Sequence, residues 1–254
     1  MHCNAYNSYH FLRACNNHNP GPSCDVCQPW LIWLAFVSLS TPMLHYETIP
    51  VTPFQQNCSV VWEDEGMTAA IIDPGGDLDV LQDACQQLGV KLVAIWITHA
   101  HIDHAGGTAE LAETLQLPII GPHPGDQFWI DGLKDAAANY GFPPSRAFTP
   151  TRWLSDGDTV TLGAHTLQVR HCPGHTPGHV VFYSPEIQRA FVGDVLFAGS
   201  IGRTDFPQGN HQDLIDSITQ RLWPMGDDTV FIPGHGPEST FGRERRSNPY
   251  VGGT

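Results

Sequence analysis

Residues 98–107 read THAHIDHAGG and place three histidines and an aspartate within six positions: His99, His101, Asp103 and His104. Imidazole nitrogens and carboxylate oxygens are the donors that hold divalent cations such as zinc, iron or manganese. In extended backbone, residues i and i+2 point the same way, so His99 and His101 can face one ion. Asp103 and His104 follow a bend and can reach a second point nearby. Gly106 and Gly107 are expected to let the backbone pass close to such a site before the next helix. Three further donors stand where strands hand over to loops: His175 in PGHTPGH, Asp194 in VGDVLF and His235 in IPGHGP. Seven donors divide into two sets of three with one carboxylate shared. Asp194 is the natural bridge, because a carboxylate has two oxygens. The expected cofactors are therefore two divalent metal ions per chain, zinc first, with iron or manganese accepted by the same donors.

The elements that must position these residues follow from periodicity. HYETIP, CSVVWE and TAAIID read as strands separated by turn residues. DLDVLQDACQQLG has apolar residues at 78, 81, 84, 85 and 88, a helical spacing, with Asp77 as the expected N-cap and Gly89 as the stop. LVAIWIT (92–98) is a continuous apolar run, the pattern of a strand buried on both faces. TAELAETLQ reads as a helix and LPIIG as a short strand. Beyond these, TLQVRHC, HVVFYS and RAFVGD read as strands, HQDLIDSITQRL as one helix and DTVFIPGHG as a last strand. Two β-rich halves, each ending its strands in His- or Asp-bearing loops, predict an α/β fold of the α+β type, with two sheets face to face and helices outside.

Composition bounds the rest. The 254 residues are 41% hydrophobic and carry a net charge of −14. That balance argues against nucleic acid as a partner and against stable membrane association, both of which need clustered Lys and Arg. Residues 1–42 hold one basic residue, Arg13, and one acid, Asp25, together with Cys3, Cys15, Cys24 and Cys27. They are read as an N-terminal extension in one of three forms: sequence upstream of a true start at Met43, a signal-like or anchoring segment around WLIWLAFVSLS, or a poorly ordered tail. Cys24 and Cys27 form CxxC without a second pair at zinc-ribbon spacing. Residues 43–254 are read as a single domain. Its cysteines, Cys58, Cys85 and Cys172, are spread out and read as reduced core thiols, which suits a cytoplasmic location.

HxHxDH, PGHTPGH, GDVLF and PGHGP stand in the order that resembles the metallo-β-lactamase superfamily, and within it the glyoxalase II branch, over about residues 43–250. GRTDFPQG (202–209) and the ending HGPESTFGRERRSNP are similar to short bacterial glyoxalase-II-like proteins. The resemblance implies a four-layer αββα sandwich with a two-metal site. It implies His99, His101 and His175 on one ion, Asp103, His104 and His235 on the other, and Asp194 between them. Asp73 in IIDPGG matches an acid that orients a ligand histidine. Arg203 matches a basic contact to the substrate. The activity implied is metal-dependent thioester hydrolysis, of S-lactoylglutathione to lactate and glutathione in methylglyoxal detoxification, with Asp103 catalytic and no serine or cysteine nucleophile. Cys172 is expected to take no part. The chain ends 19 residues after His235, so the helical extension that grips glutathione in longer members is expected to be missing. With Arg203 adding to the charge of the ions, a small anionic thioester is the expected substrate. A mononuclear iron persulfide dioxygenase, a lactonase or other hydrolase of the same fold, and a metal-binding protein without turnover stay open as alternatives.

Overall fold

The computed structural model describes residues 43–253. The expectations for residues 1–42 (extension, signal-like run and the CxxC of Cys24 and Cys27) lie outside the described residues. Within them, a first sheet has the order β1 (Leu44–Val51), β2 (Gln56–Glu63), β3 (Thr68–Ile72), β4 (Lys91–Trp96) and β5 (Ile119–Ile120). Its early pairs are antiparallel, and β3–β4 and β4–β5 are parallel across helical crossovers. A second sheet runs β13 (Ser239–Thr240), β12 (Val230–Pro233), β9 (Arg189–Gly193), β8 (Val180–Ser184), β7 (His165–His171) and β6 (Thr159–Leu162). Only its β12–β9 pair is parallel. A small β10–β11 hairpin (Leu196–Phe197, Ser200–Ile201) follows β9.

The period of two along each strand sorts side chains between layers. Ile71 and Ile95 face outward against α1 (Leu78–Leu88), α3 (Thr108–Leu115) and α5 (Leu133–Tyr140), packing on Leu81, Leu111 and Leu133. Their neighbours Ile72, Ala94 and Trp96 face inward and meet Val180, Phe182, Phe191 and Ile232 of the second sheet. Trp96 and Phe182 lie 5.5 Å apart, ring to ring, across this interlayer. Phe182→Ala there would cost about 3–5 kcal/mol of stability through the cavity it leaves. Val181, Val192 and Phe231 face the far side, against α6 (His211–Ser217) and α7 (Phe241–Ser247). The result is a four-layer αββα sandwich, the architecture the resemblance implies.

Several local expectations are corrected. Asp77 precedes α1 but does not cap it. It adopts φ 49°, and its Oδ2 instead accepts from the Thr52 backbone N–H at 2.7 Å, spending the side chain on a neighbouring turn. HQDLIDSITQRL is not one α-helix: α6 stops at Ser217 and a π-turn covers Ile218–Leu222. Between β5 and β6, α4 (Gln127–Asp131) and α5 are split by Gly132. No element is expected there from the sequence: α4 has only five residues, and the apolar residues of α5, LKDAAANY, are mostly three consecutive alanines that mark no single face. Gly89 does end α1, at φ 71°. No helix among the described residues is long and apolar enough to cross a membrane.

Candidate metal centre

β3, β4, β9 and β12 all deliver their C-terminal ends to one edge of the sandwich. There Asp73, His99, Asp194 and His235 leave the strands. The β7–β8 loop brings His175 to the same edge, and Val180 N–H donates to Thr98 C=O at 2.8 Å, tying the two sheets together beside the site. α2 (Ile102–Ala105) is a single turn whose start at His101 turns Asp103 and His104 inward.

Asp73 organises the first loop. It adopts the left-handed φ of 55°, a conformation that costs free energy for a non-glycine residue. Its Oδ1 accepts from Thr98 N–H at 2.7 Å and its Oδ2 from Thr98 Oγ1–H at 2.5 Å. Oδ2 also faces His104 Nδ1 at 2.9 Å. Since the Thr98 hydroxyl proton points at Asp73, its oxygen accepts from His99 Nδ1–H at 3.1 Å. These contacts fix the ring orientations: in both His99 and His104 a proton sits on Nδ1, and Nε2 is the atom turned toward the site. His175 Nδ1–H donates to Arg203 C=O at 2.8 Å, and His235 Nδ1–H to Phe54 C=O at 3.2 Å, with the same consequence. His101 turns Nδ1 inward, 2.9 Å from His175 Nε2.

The donors converge in two groups. One atom each from His99, His101 and His175 lie within 4.8 Å of one another, and so do one each from Asp103, His104 and His235. Asp194 sits between them: Oδ1 is 3.4 Å from His104 Nε2, while Oδ2 is 3.4 Å from His175 Nε2 and 3.8 Å from His235 Nε2. The structure thus brings all seven predicted donors together. His99 Nε2, His104 Nε2 and Asp194 Oδ1 are buried without a hydrogen-bond partner. Orphaned buried lone pairs are costly and rare. A divalent cation in each group would satisfy them, so the residues fit a pair of ions.

Electrostatics distinguish the groups. Burial, then the neighbouring imidazoles, hold His99 and His101 well below the usual histidine range. Burial also lowers His175. His104 is equally buried, but the Asp194 and Asp103 carboxylates outweigh that and raise it well above the usual range. Against its own burial, Asp194 is held far below the carboxylate range by His104, His175 and His235.

Two positioning residues escaped the sequence reading. Asp126 is fully buried and cross-braces two loops: its Oδ2 accepts from Ala100 N–H and Thr176 Oγ1–H, both at 2.9 Å, and its Oδ1 from Gly178 N–H at 2.6 Å. A lone acid in PHPGDQFW carries no sequence signal for that role. His179, the second histidine of PGHTPGH, stacks on His99 at 4.6 Å, and its Nε2 accepts from Asp194 N–H at 3.0 Å. Gly106 and Gly107 do not approach the donors. A Cβ on Gly106 would meet the carbonyls of Ile102 and Gly75, and one on Gly107 that of Pro74, so they make room for the turn that carries Asp73. Gly234 does have the close approach, since a Cβ there would collide with Asp194 Oδ1 and His104 Cε1. Cys172 is buried and its thiol pushed up, which leaves it inert.

The donors floor a cleft of about 550 Å³ walled by Phe54, Trp129, Tyr140, Phe197 and Phe206. Arg203 stands at its mouth, but its guanidinium forms a two-pronged pair with Asp205, Nε to Oδ1 and Nη2 to Oδ2, each at 2.7 Å. The expected extra positive charge of Arg203 is therefore cancelled beside the site.

The profile of the metallo-beta-lactamase superfamily matches residues 51–235. The chain belongs to this superfamily. Among metallo-beta-lactamase relatives, hydroxyacylglutathione hydrolase GloC of Haemophilus influenzae is 44% identical over 209 residues, covering 82% of this chain and 98% of that protein. The crystal structure of the BLEG-1 B3 metallo-beta-lactamase superposes with a TM-score of 0.76 at 34% identity, over 82% of this chain and 100% of that one. TTHA1623 in a di-iron-bound form gives 0.74 at 40% identity, over 81% and 100%. This metallo-beta-lactamase superfamily member is a metal-dependent hydrolase, related to the glyoxalase II group. Superfamily membership and the His/Asp cluster together point to a dinuclear site.

Proposed function

We propose that the chain hydrolyses thioesters of the hydroxyacylglutathione class, S-lactoylglutathione to lactate and glutathione, at a dinuclear centre. His99 Nε2, His101 Nδ1 and His175 Nε2 would hold one ion, Asp103, His104 Nε2 and His235 Nε2 the other, with Asp194 shared. The observation that carries the reading is the convergence of buried imidazole and carboxylate atoms that lack a hydrogen-bond partner, from both groups, beneath one cleft. The activity named for the Haemophilus relative supports the substrate class. When bound, such ions lower the pKa of a water to near neutrality and polarise a carbonyl oxygen.

The chain's own residues do the rest. Asp103 Oδ2 faces His235 Nε2 at 3.1 Å, which leaves Oδ1 to accept a hydrogen bond from the attacking water and aim it. Asp73, through Thr98 and directly, holds the Nδ1 side of His99 and His104, so that Nε2 of each is the atom turned toward the ions. His179 fixes the backbone of Asp194. Trp129 and Phe206 pack against His101 at 4.5 and 4.7 Å and keep bulk water from that side.

The test is elemental analysis of the purified chain beside turnover of a thioester, an ester, a lactone and a β-lactam. Two ions per chain are expected, and the thioester, S-lactoylglutathione, should turn over faster than the ester, the lactone or the β-lactam. One iron per chain with oxygen uptake on a persulfide, or a lactone opened faster than any thioester, would overturn the proposal.

A further inference from the structure

The cleft that leads to the donors has an unusual balance of surfaces. Its walls are aromatic on both sides. Phe206 and Trp129 flank His101, and Phe197 lies 6.3 Å from His235. Phe54 packs edge-on against Tyr140 at 6.1 Å, and both rings are about half exposed. Ile102 and Ile201 complete the apolar lining. Such a wall rewards an apolar or aromatic group in proportion to the area it covers.

Apart from the proposed metal ligands, Arg203 is the one ionisable cation among the described residues lining the cleft. Its guanidinium is held twice over. Asp205 takes its fork in the two-pronged geometry that a substrate carboxylate would use, and the ring of Phe206 lies 4.3 Å beneath it. Both side chains of the pair are more than 60% exposed, so water screens it and it can open. Opening it for a substrate carboxylate merely exchanges one carboxylate for another on the same guanidinium. The net gain is then close to nothing.

Resting on the thioesterase reading above, we propose that Asp205 is a specificity residue: by occupying Arg203 it makes the cleft an apolar rather than an anion-binding one, whose preferred thioesters carry an uncharged, apolar or aromatic group beside the reacting carbonyl. S-Lactoylglutathione, with its two carboxylates, is then a substrate held weakly, and its turnover is limited by KM rather than kcat. Arg203 holds the Asp205 carboxyl down to about 2, so both partners stay charged at every pH an assay would use.

The experiment separates binding from turnover. Dissociation constants are measured by calorimetry on the metal-loaded full chain for two unreactive thioethers, S-benzylglutathione and the neutral S-benzyl-N-acetylcysteamine, with the wild type, Asp205→Asn and Phe54→Ala. Hydrolysis of S-lactoylglutathione and of the lactoyl thioester of benzyl mercaptan is followed alongside. The wild type should bind the neutral thioether at least about 5-fold more tightly. Asp205→Asn should tighten S-benzylglutathione by about 3- to 5-fold, the scale of one exposed charge pair, and move the neutral ligand by less than about 1.5-fold. Phe54→Ala should weaken the neutral ligand by about 5-fold through lost apolar contact. Tighter wild-type binding of S-benzylglutathione, or an equal shift of both ligands in Asp205→Asn, overturns the inference. If the binding order holds while neither thioester is hydrolysed, the apolar cleft stands and the thioesterase reading alone falls.

Discussion

The two donor groups lie side by side yet are built differently. His99, His101 and His175 form a set of neutral rings: burial keeps protons off them, and the first and last are at most 2% exposed. Their loops are cross-braced by Asp126, which grips Ala100 on one side and Thr176 and Gly178 on the other. The second group contains a carboxylate, Asp103, and leans on another, Asp194. Its outermost member, His235, has a side chain 30% exposed to the cleft and is held by a single carbonyl. The contrast teaches that one half of the proposed centre is a preformed socket and the other an electrostatic one. The first needs rigid loops, because neutral rings do not attract a cation from a distance. The second draws a cation in by charge and is open enough to release it.

The largest effect expected is at the shared residue. Asp194→Ala removes the carboxylate both halves use, so metal content should drop below one ion per chain and turnover by about 1000-fold or more, beyond the 10–100-fold typical of losing a supporting group. His235→Ala, by contrast, should keep the first ion, and elemental analysis of both variants reads the difference. If Asp194→Ala retained two ions, the sharing of that carboxylate would be refuted. Next comes Asp103→Asn, which keeps size but removes charge from the electrostatic half. Steady-state rates at saturating metal should fall by about 100-fold or more, and a loss under threefold would show Asp103 to be a bystander. The supporting acids sharpen the comparison further. Asp126→Asn should weaken the three-histidine half alone by about 10- to 100-fold in metal affinity, whereas Asp73→Asn, which touches His104 directly and His99 through Thr98, should weaken both halves. Competition titrations against a chromophoric chelator separate the two patterns, and equal behaviour of the variants would erase the distinction. The smallest effect is kinetic: a chelator added to the loaded wild type should strip one ion ahead of the other, and the ion left behind should be the one His235→Ala also retains.

The sequence by itself determined the strand and helix alternation of β1–β4 and β7–β9, because apolar periods of two and 3.6 report directly which face each segment buries. It also determined the seven His and Asp donors and their grouping into segments that follow strands, since HxHxDH, PGHTPGH, GD and PGHGP are local spacings. Tertiary structure alone decided which nitrogen each ring presents. That choice depends on acceptors distant in the chain: Asp73 for His104, Arg203 C=O for His175 and Phe54 C=O for His235. It decided the role of Asp126, whose three donors come from loops 26 to 52 residues away. It revealed the short α4 and the alanine-rich α5, whose patterns mark no single face, and with them Trp129 and Tyr140 in the cleft wall. Finally it decided the fate of Arg203. Two residues apart, Arg203 and Asp205 could have pointed anywhere on an exposed loop, and only the folded backbone turns the carboxylate onto the guanidinium and spends its charge before a substrate arrives.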